Sequence, residues 1–381
     1  MSVPLARRLL AHDKRRTALA VIGIFLAIVL VFFELGLFFA VPRGGLLLYD
    51  HMRFDLMLTS NQYEYLSDPG AFAKSWLERV RAVPQVARVM PVYFASAKWQ
   101  SGVGGRWPDL FVIGFSTAAS PFTGGGIDRQ IAVLRRPDTI LVDATTRPLF
   151  GPLTPGRVVT IDGRRETIGG TYRLGTGFMG LGVALVGQRN FVRLFPLRGL
   201  DLVNLGAIAL KPGVDPDRAA QEIRKIVPGD LRIFTRRQLE AHEIAYWTTR
   251  SAVGLIFGSG LVVAIAVGIM IVYQALATQI SRHLPQFATL KAIGYGERSL
   301  YAALAAMAVM IMTAGFVPAA LAALWLYAII RRTTLLPTAM TGKEIVLVIA
   351  ASLAIAVISA LLSAASLRRA DPAEVFDRRA R

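Results

Sequence analysis

Few residues in this chain of 381 stand at spacings that do chemistry. A phosphate-binding loop needs G-x-x-x-x-G-K-[ST], so that backbone amides cradle the phosphates and the Lys and hydroxyl hold the rest. The one Gly-Lys pair is Gly342-Lys343, with Pro337 in the place of the first Gly and Glu344 in the place of the hydroxyl. Gly175-Thr-Gly177-Phe-Met-Gly180 matches G-x-G-x-x-G, and Asp201 follows further on. A dinucleotide site needs that turn between a strand and a helix. Here the short strand-like run Leu181–Gly187 follows instead, so the glycines read as a flexible loop. No serine is flanked as G-x-S-x-G. Zero cysteines exclude disulfides, thiolate ligands and thiol nucleophiles. His12, His51, His242 and His283 lie far apart without HExxH spacing, which argues against a metal site. We expect no catalytic residue, no cofactor and no metal, and hence a chain that is not itself an enzyme.

Three other features carry function of a different kind. Glu34 interrupts an apolar run, and an intramembrane acid is a functional candidate by default. Gly254-x-x-x-Gly258, followed by Gly260, Ala264 and Gly268, lets a helix approach another closely, as do Ser359-x-x-x-Ser363 and Ala360-x-x-x-Ala364. A dimer seam and packing within one protomer both suit these faces. Between Ser281 and Gly296, Pro285 opens a short helical pattern whose apolar side is Phe287, Leu290, Ala292 and Ile293, with Gly294 as its stop. Such a helix either lies on lipid or docks in a partner's groove.

The elements that must position these residues follow from composition. Hydrophobic residues are 54% and charged residues 18% of the chain, where a soluble domain has roughly 25% charged. About 20 apolar residues cross a bilayer. Four stretches qualify: Thr17–Val41, Ala252–Ala277, Tyr301–Ile330 and Ile345–Leu367, the last three without a charge. The first is too long for a signal peptide and has no A-x-A site after it. Basic residues set the orientation. Arg7, Arg8, Lys14, Arg15 and Arg16 precede span 1. Arg282, Lys291 and Arg298 lie between spans 2 and 3, and Arg368, Arg369, Arg378, Arg379 and Arg381 follow span 4. Only Arg331, Arg332 and Lys343 lie between spans 3 and 4. Both termini are therefore expected in the cytoplasm.

The expected fold is an α-helical membrane protein whose four transmembrane helices carry a large extracytoplasmic α+β domain between helices 1 and 2. Its expected parts are 1–16, an amphipathic segment suited to the lipid surface, then span 17–41 and domain 42–250. Span 251–278, cytoplasmic segment 279–300, span 301–330, outer loop 331–344, span 345–367 and tail 368–381 follow. In the domain, Val89–Phe94, Leu110–Ile113, Ile140–Val142, Val158–Ile161 and Gly206–Leu210 read as strands. Pro69–Val83 and Asp215–Val227 read as helices, the second with Asp215 as cap and Pro216 in the first turn. The net charge of +18 accompanies spans, so anionic lipids and not nucleic acid are the expected neighbours.

His283-Leu-Pro-Gln-Phe-Ala-Thr-Leu-Lys-Ala-Ile-Gly-Tyr295 closely resembles the cytoplasmic coupling segment of DevC-type ABC transporter permeases, within the wider FtsX/MacB-like superfamily. Phe33-Glu-Leu-Gly36, Ile140-Leu-Val-Asp143, Tyr172-Arg-Leu-Gly-Thr176, Tyr246-Trp247, Leu335–Thr341 and Ala370–Phe376 resemble further landmarks of that family. Gly177–Gly182 departs from it, being apolar where members often carry a polar residue. The resemblance implies a homodimer bound to two copies of a separate ABC ATPase, and the small-residue spacing makes Gly254 and Gly258 the candidates for its seam. It implies ATPase coupling through His283, Leu284, Pro285, Phe287, Leu290, Lys291, Ile293 and Gly294. It implies a second ATPase contact through Asp371, Pro372, Glu374 and Phe376. A periplasmic membrane-fusion adaptor, an outer-membrane exit duct, residence in a bacterial inner membrane and export of a lipid-like or amphipathic cargo complete what it implies. The alternative within the superfamily is a non-transporting transducer that regulates a periplasmic enzyme.

Overall fold

The computed structural model describes residues 14–175, 180–292, 297–334 and 336–368. The chain forms two compact units, one of residues 1–40, 252–334 and 338–381, the other of residues 41–251 with 335–337.

Helix α1, Lys14–Asp50, opens the chain. The sequence reading ends this span at Val41, before Pro42-Arg43-Gly44-Gly45, but the helix continues through those breakers. Its last turns are held by packing, since Leu48 and Tyr49 are fully buried, and burial outweighs the roughly 1 kcal/mol that each helical glycine costs.

The second unit is built on one sheet. Its strands are β1 (Leu56–Ser60), β3 (Val86–Lys98), β4 (Asp109–Phe115), β5 (Thr139–Asp143), β6 (Val158–Ile161), β7 (Arg164–Tyr172), β8 (Val183–Gly187), β10 (Leu205–Leu210) and β11 (Leu231–Thr235). They lie in the order β11-β1-β10-β3-β4-β8-β5-β7-β6. Among the described residues, the β4–β8 and β5–β7 pairs are parallel and the other strand pairs antiparallel. Two short strands, β2 (Phe72–Ala73) and β9 (Leu202–Val203), pair apart from the sheet.

Both faces of the sheet are covered. Leu56, Leu58, Val112, Ile140, Val142, Ala184 and Val186 point to one core, which α2 (Ser75–Arg81), α3 (Gln188–Leu194) and α4 (Pro216–Ile226) cover with Leu77, Phe191 and Ile223. Met57, Phe111, Ile113, Leu141, Val183 and Leu185 point to the other, which Leu48 and Tyr49 of α1 and Leu239 of α5 (Arg236–Ala245) share. A strand buried on both faces reads as a continuous apolar run, which is how β4, β5 and β8 appear in the sequence. Asp215 caps α4 as expected, its Oδ1 accepting from the Asp217 amide at 2.9 Å.

In the first unit, α6 (Ala252–Ala292), α7 (Glu297–Thr334) and α8 (Gly342–Arg368) join α1. Four helical stretches, Thr17–Asp50, Ala252–Thr278, Val309–Thr333 and Gly342–Ser363, are long and apolar enough to cross a membrane, with mean hydropathy of 2.0 or more. They bury Ile24, Ile28, Val31, Ala264, Val272, Ile311, Ala319 and Ile355 among themselves. Leu26, Val262, Leu321, Trp325 and Leu361 stay exposed, as lipid-facing side chains would.

Polar contacts also tie the helices of the bundle together. The Ser359 hydroxyl of α8 donates to the Ile269 carbonyl of α6 at 3.0 Å. The Tyr327 hydroxyl of α7 donates to the Phe32 carbonyl of α1. Gly36 makes room for that ring, because a Cβ there would lie 2.1 Å from the Tyr327 hydroxyl oxygen. Gly36→Ala should therefore destabilise the bundle by about 1–3 kcal/mol, the usual overpacking penalty. Thermal unfolding of the full chain in detergent checks this, and on a Tyr327→Ala background, itself less stable, the added cost of Gly36→Ala should largely disappear.

Candidate functional site

The expected coupling segment is not a separate short helix. Residues 279–292 continue α6 without a break, although Pro285 lacks the amide for its own helical hydrogen bond. The positions of His283, Leu284, Pro285, Phe287, Leu290 and Lys291 lie on this extension, and their side chains are outside the described residues. Ile293 and Gly294 also lie outside them, as do Asp371, Pro372, Glu374 and Phe376 and nearly all of the amphipathic segment 1–16.

Parts of the small faces pack within the first unit. Gly254 is buried. A Cβ on Gly258 would sit 3.5 Å from the Phe38 ring, and one on Gly268 would sit 3.0 Å from Ile355. Ser359 and Ser363 are fully buried. Glu34 faces Gly260 on α6, where a Cβ would come within 2.5 Å of its carboxylate. Glu344, the residue that breaks the phosphate-loop pattern, helps to cap α8. Its Oε2 accepts from the Thr341 amide at 2.7 Å while its own amide donates to the Thr341 hydroxyl at 3.4 Å. That reciprocal pair is the capping box signalled by Thr341-Gly-Lys-Glu344.

Within the second unit, the chain segments nearest the spans in sequence are tied together. Tyr49, on the last turn of α1, shares a 2.5 Å hydrogen bond with the Tyr63 hydroxyl. Tyr63 donates onward to Glu243 Oε1 on α5. All three side chains are essentially sealed from solvent. Arg236, at the start of α5, donates to the carbonyls of Tyr49 at 3.2 Å and Met52 at 2.5 Å and lies 4.3 Å over the Phe54 ring. It thereby satisfies carbonyls that a helix C-terminus leaves open. Gly45 approaches so closely that a Cβ would lie 2.2 Å from the Trp247 indole nitrogen. Tyr65 stacks on Tyr246 with centroids 4.4 Å apart.

Burial pushes the Glu243 carboxyl up to about 7, and hydrogen bonds from Tyr63 and Trp247 only partly pull it back. Burial also holds the Tyr63 hydroxyl well above its usual value. His242, whose ring centroid is 5.7 Å from that of Tyr63, is pushed down by burial. No spacing in the sequence points to this network, because its members stand at 49, 63 and 243. The one available signal is a Glu inside the pattern Leu239-Glu-Ala-His-Glu243, at the helical interval that should face the core.

The glycine loop is anchored at its base. Asp143, fully buried, accepts from the amides of Leu174 at 3.0 Å and Gly175 at 2.9 Å. It also accepts from the Thr145 hydroxyl at 2.7 Å. Residues 176–179 lie outside the described residues, and β8 follows the loop, so the strand-to-helix turn of a dinucleotide site is not formed.

Residues 17–226 match the MacB-like periplasmic core domain, and residues 252–372 match the FtsX-like permease C-terminal domain. No curated protein matches the chain. Among solved structures, the periplasmic region of MacB from Actinobacillus actinomycetemcomitans is 11% identical, covering 51% of this chain and 94% of its own at a TM-score of 0.36. The extracellular domain of the noncanonic ABC-type transporter YknZ from Gram-positive bacteria is 14% identical, covering 48% and 99% at 0.32. A domain of a putative permease protein from Porphyromonas gingivalis is 15% identical, covering 48% and 87% at 0.31.

Proposed function

Because the chain belongs to the family of FtsX-like permeases with a MacB-like periplasmic core domain, we propose that it is the permease subunit of an ABC-type export machine of the DevC kind. Members of this family are the transmembrane component of ABC systems and are not themselves the ATPase. The family works with an ABC ATPase and an adaptor. The chain is a multi-pass membrane protein with a large extracellular domain.

The finer reading is as follows. Two copies pair, with Gly254 and Gly258 near the seam, in a bacterial inner membrane with both termini in the cytoplasm. An ABC ATPase docks on His283–Gly294 and on Asp371–Phe376. Its ATP cycle moves the spans, and the periplasmic domain hands a lipid-like or amphipathic cargo to a membrane-fusion adaptor and an exit duct. The observation that carries this reading is that both family domains match, in order, over nearly the whole chain. Two further features support it. The last three spans hold no charge chain of the kind that ion-coupled carriers need. The segments of the domain nearest the spans in sequence are locked to each other through Tyr49, Tyr63 and Glu243, so displacement of one displaces the other.

Affinity purification of the chain from its native membranes in mild detergent tests the proposal. An ABC ATPase together with a periplasmic adaptor is the expected recovery. An ATPase with a cell-wall hydrolase and no adaptor would replace export by enzyme regulation. Recovery of intact chain without any ATPase would overturn both.

A further inference from the structure

A cavity at one end of β4 and β8 belongs to none of the features above. These strands are parallel neighbours, and Phe115 pairs with Gly187 at their C-terminal ends. The segments that follow diverge, and α/β sheets hold ligands in such crevices. The cavity has a volume of about 420 Å³, within the roughly 300–1,000 Å³ usual for small-molecule sites. Arg135, Arg136, Arg189 and Arg193 line it, with Ser116 and Thr117.

The charge there is unbalanced. Arg193 pairs with Asp138 Oδ1 at 3.2 Å. The side chains of Arg135, Arg136 and Arg189 make no hydrogen bond or ion pair among the described residues. No acid lines the cavity. The neighbouring carboxylate of Glu166 is buried and occupied, its Oε2 accepting from Asn190 Nδ2 at 2.9 Å.

The backbone of the walls is anchored. Asn190 is buried and fixes the first turn of α3 through the Thr139 carbonyl at 3.1 Å and the Asp138 amide at 2.9 Å. Phe191, beside it, is fully buried. Arg189 and Arg193 stand one helical turn apart on that anchored helix. Across the cavity, Gly187 packs so tightly that a Cβ would lie 2.7 Å from the Leu134 carbonyl oxygen, which holds the segment bearing Arg135 and Arg136. The backbone positions of the arginines are thus set before a ligand arrives, and what binding must still order is the guanidinium side chains.

Guanidinium forks match the oxygens of phosphate, and hydroxyls add further donors. The volume exceeds what a bare phosphate fills, so room remains for the group it is esterified to. We propose that this cavity is a binding site for a phosphate ester, held by Arg135, Arg136 and Arg189. The proposal goes beyond the export reading and does not depend on it, since binding is read without an ATPase.

Isothermal titration of the full chain in neutral detergent tests it. The probes are glycerol 3-phosphate, a short-chain phosphatidylglycerol, and glycerol as the uncharged control. Both phosphates should bind saturably and glycerol should not. Arg135→Ser and Arg189→Ser should each weaken binding about tenfold, the loss of one charge-assisted contact. Arg88→Ser, at an exposed position on β3, should leave it unchanged. Equal affinity for the two phosphates identifies a soluble ester as the ligand, and tighter binding of the lipid identifies a headgroup; either result upholds the site. Absence of saturable binding by both overturns it, as does an equal loss with Arg88→Ser.

Discussion

On the coupling proposed above, replacing Phe287 or Leu290 by Asp is expected to remove the ABC ATPase from the purified complex and to abolish transport, while the chain reaches the membrane in normal amount. The expectation rests on where these residues fall. Helix α6 runs unbroken to Ala292, well beyond the uncharged apolar run Ala252–Ala277. Phe287 and Leu290 occupy positions one helical turn apart on the extension, the interval at which a helix docks its apolar side in a groove. An Asp brought into such a groove carries a charge without a partner, at a cost of about 3–5 kcal/mol. Since each 1.4 kcal/mol is tenfold, ATPase affinity should fall by about a hundredfold or more. Quantifying the ATPase that co-purifies with each variant reads the effect directly. Full recovery of ATPase on both variants would remove the docking role from this segment.

Tyr63→Phe should destabilise the second unit by about 2–3 kcal/mol. The lost hydroxyl serves two partners, Tyr49 and Glu243, and its removal leaves a fully buried carboxyl without its main donor. Stranding a buried polar group costs about 1–3 kcal/mol, more for a charged one. The same site makes stability depend on pH. The Glu243 carboxyl stands near 7 in the folded chain against an ordinary 4.5, so the folded state holds its proton more tightly than the unfolded state. Its stabilising contribution is complete below about pH 4.5 and is lost as pH rises through 7, on the order of 3 kcal/mol in all. Glu166 is also pushed up to about 7, chiefly by burial, and acts in the same direction. Thermal unfolding at pH 5 to 8 should show stability falling as pH rises. Glu243→Gln should flatten the slope, leaving the contribution of Glu166 set against that of His242, whose proton is held less tightly in the folded chain and which therefore acts in the opposite direction. An unchanged slope in Glu243→Gln would show that Glu243 is already ionised in the folded chain at pH 5.

The sequence is most legible where local pattern and burial agree. Leu110–Ile113, Ile140–Val142 and Val158–Ile161 read as strands and are strands, because apolar runs bounded by turn residues have few other uses outside the spans. Asp215-Pro216 announces α4 by its cap and its proline. Where several chain segments decide together, the local reading falls short. α1 passes through Pro42 and Gly45 because the far-off Trp247 packs on it. β7 carries Arg164, Arg165, Glu166 and two glycines, a poor strand by composition, and owes its place to β5 and β6 on either side. α5 begins with two arginines, and its Thr235–Gln238 capping box is visible in sequence without any apolar run to attract notice. The network of Tyr49, Tyr63 and Glu243 has no local signature, since fold topology alone brings its members together. The arginines that line the cavity beside β4 and β8 fall likewise at 135, 136, 189 and 193, with no spacing that announces a common wall.

The register of β1 bears on how the domain is made. Leu58 pairs with Gly206 on one side and Ile233 on the other, so one of the first strands to emerge during synthesis waits for the last two before it is paired on either edge. Contacts this distant in sequence slow folding. Meanwhile β1, β4, β5 and β8, whose residues are nearly all buried in the finished sheet, would lie open as apolar runs of high strand propensity, charged only at Asp109 and Asp143. Such runs pair with one another between chains when they are left exposed. Biogenesis of this protein therefore requires that residues 56–210 be kept apart from their counterparts on neighbouring nascent chains until β11 arrives to close the edge.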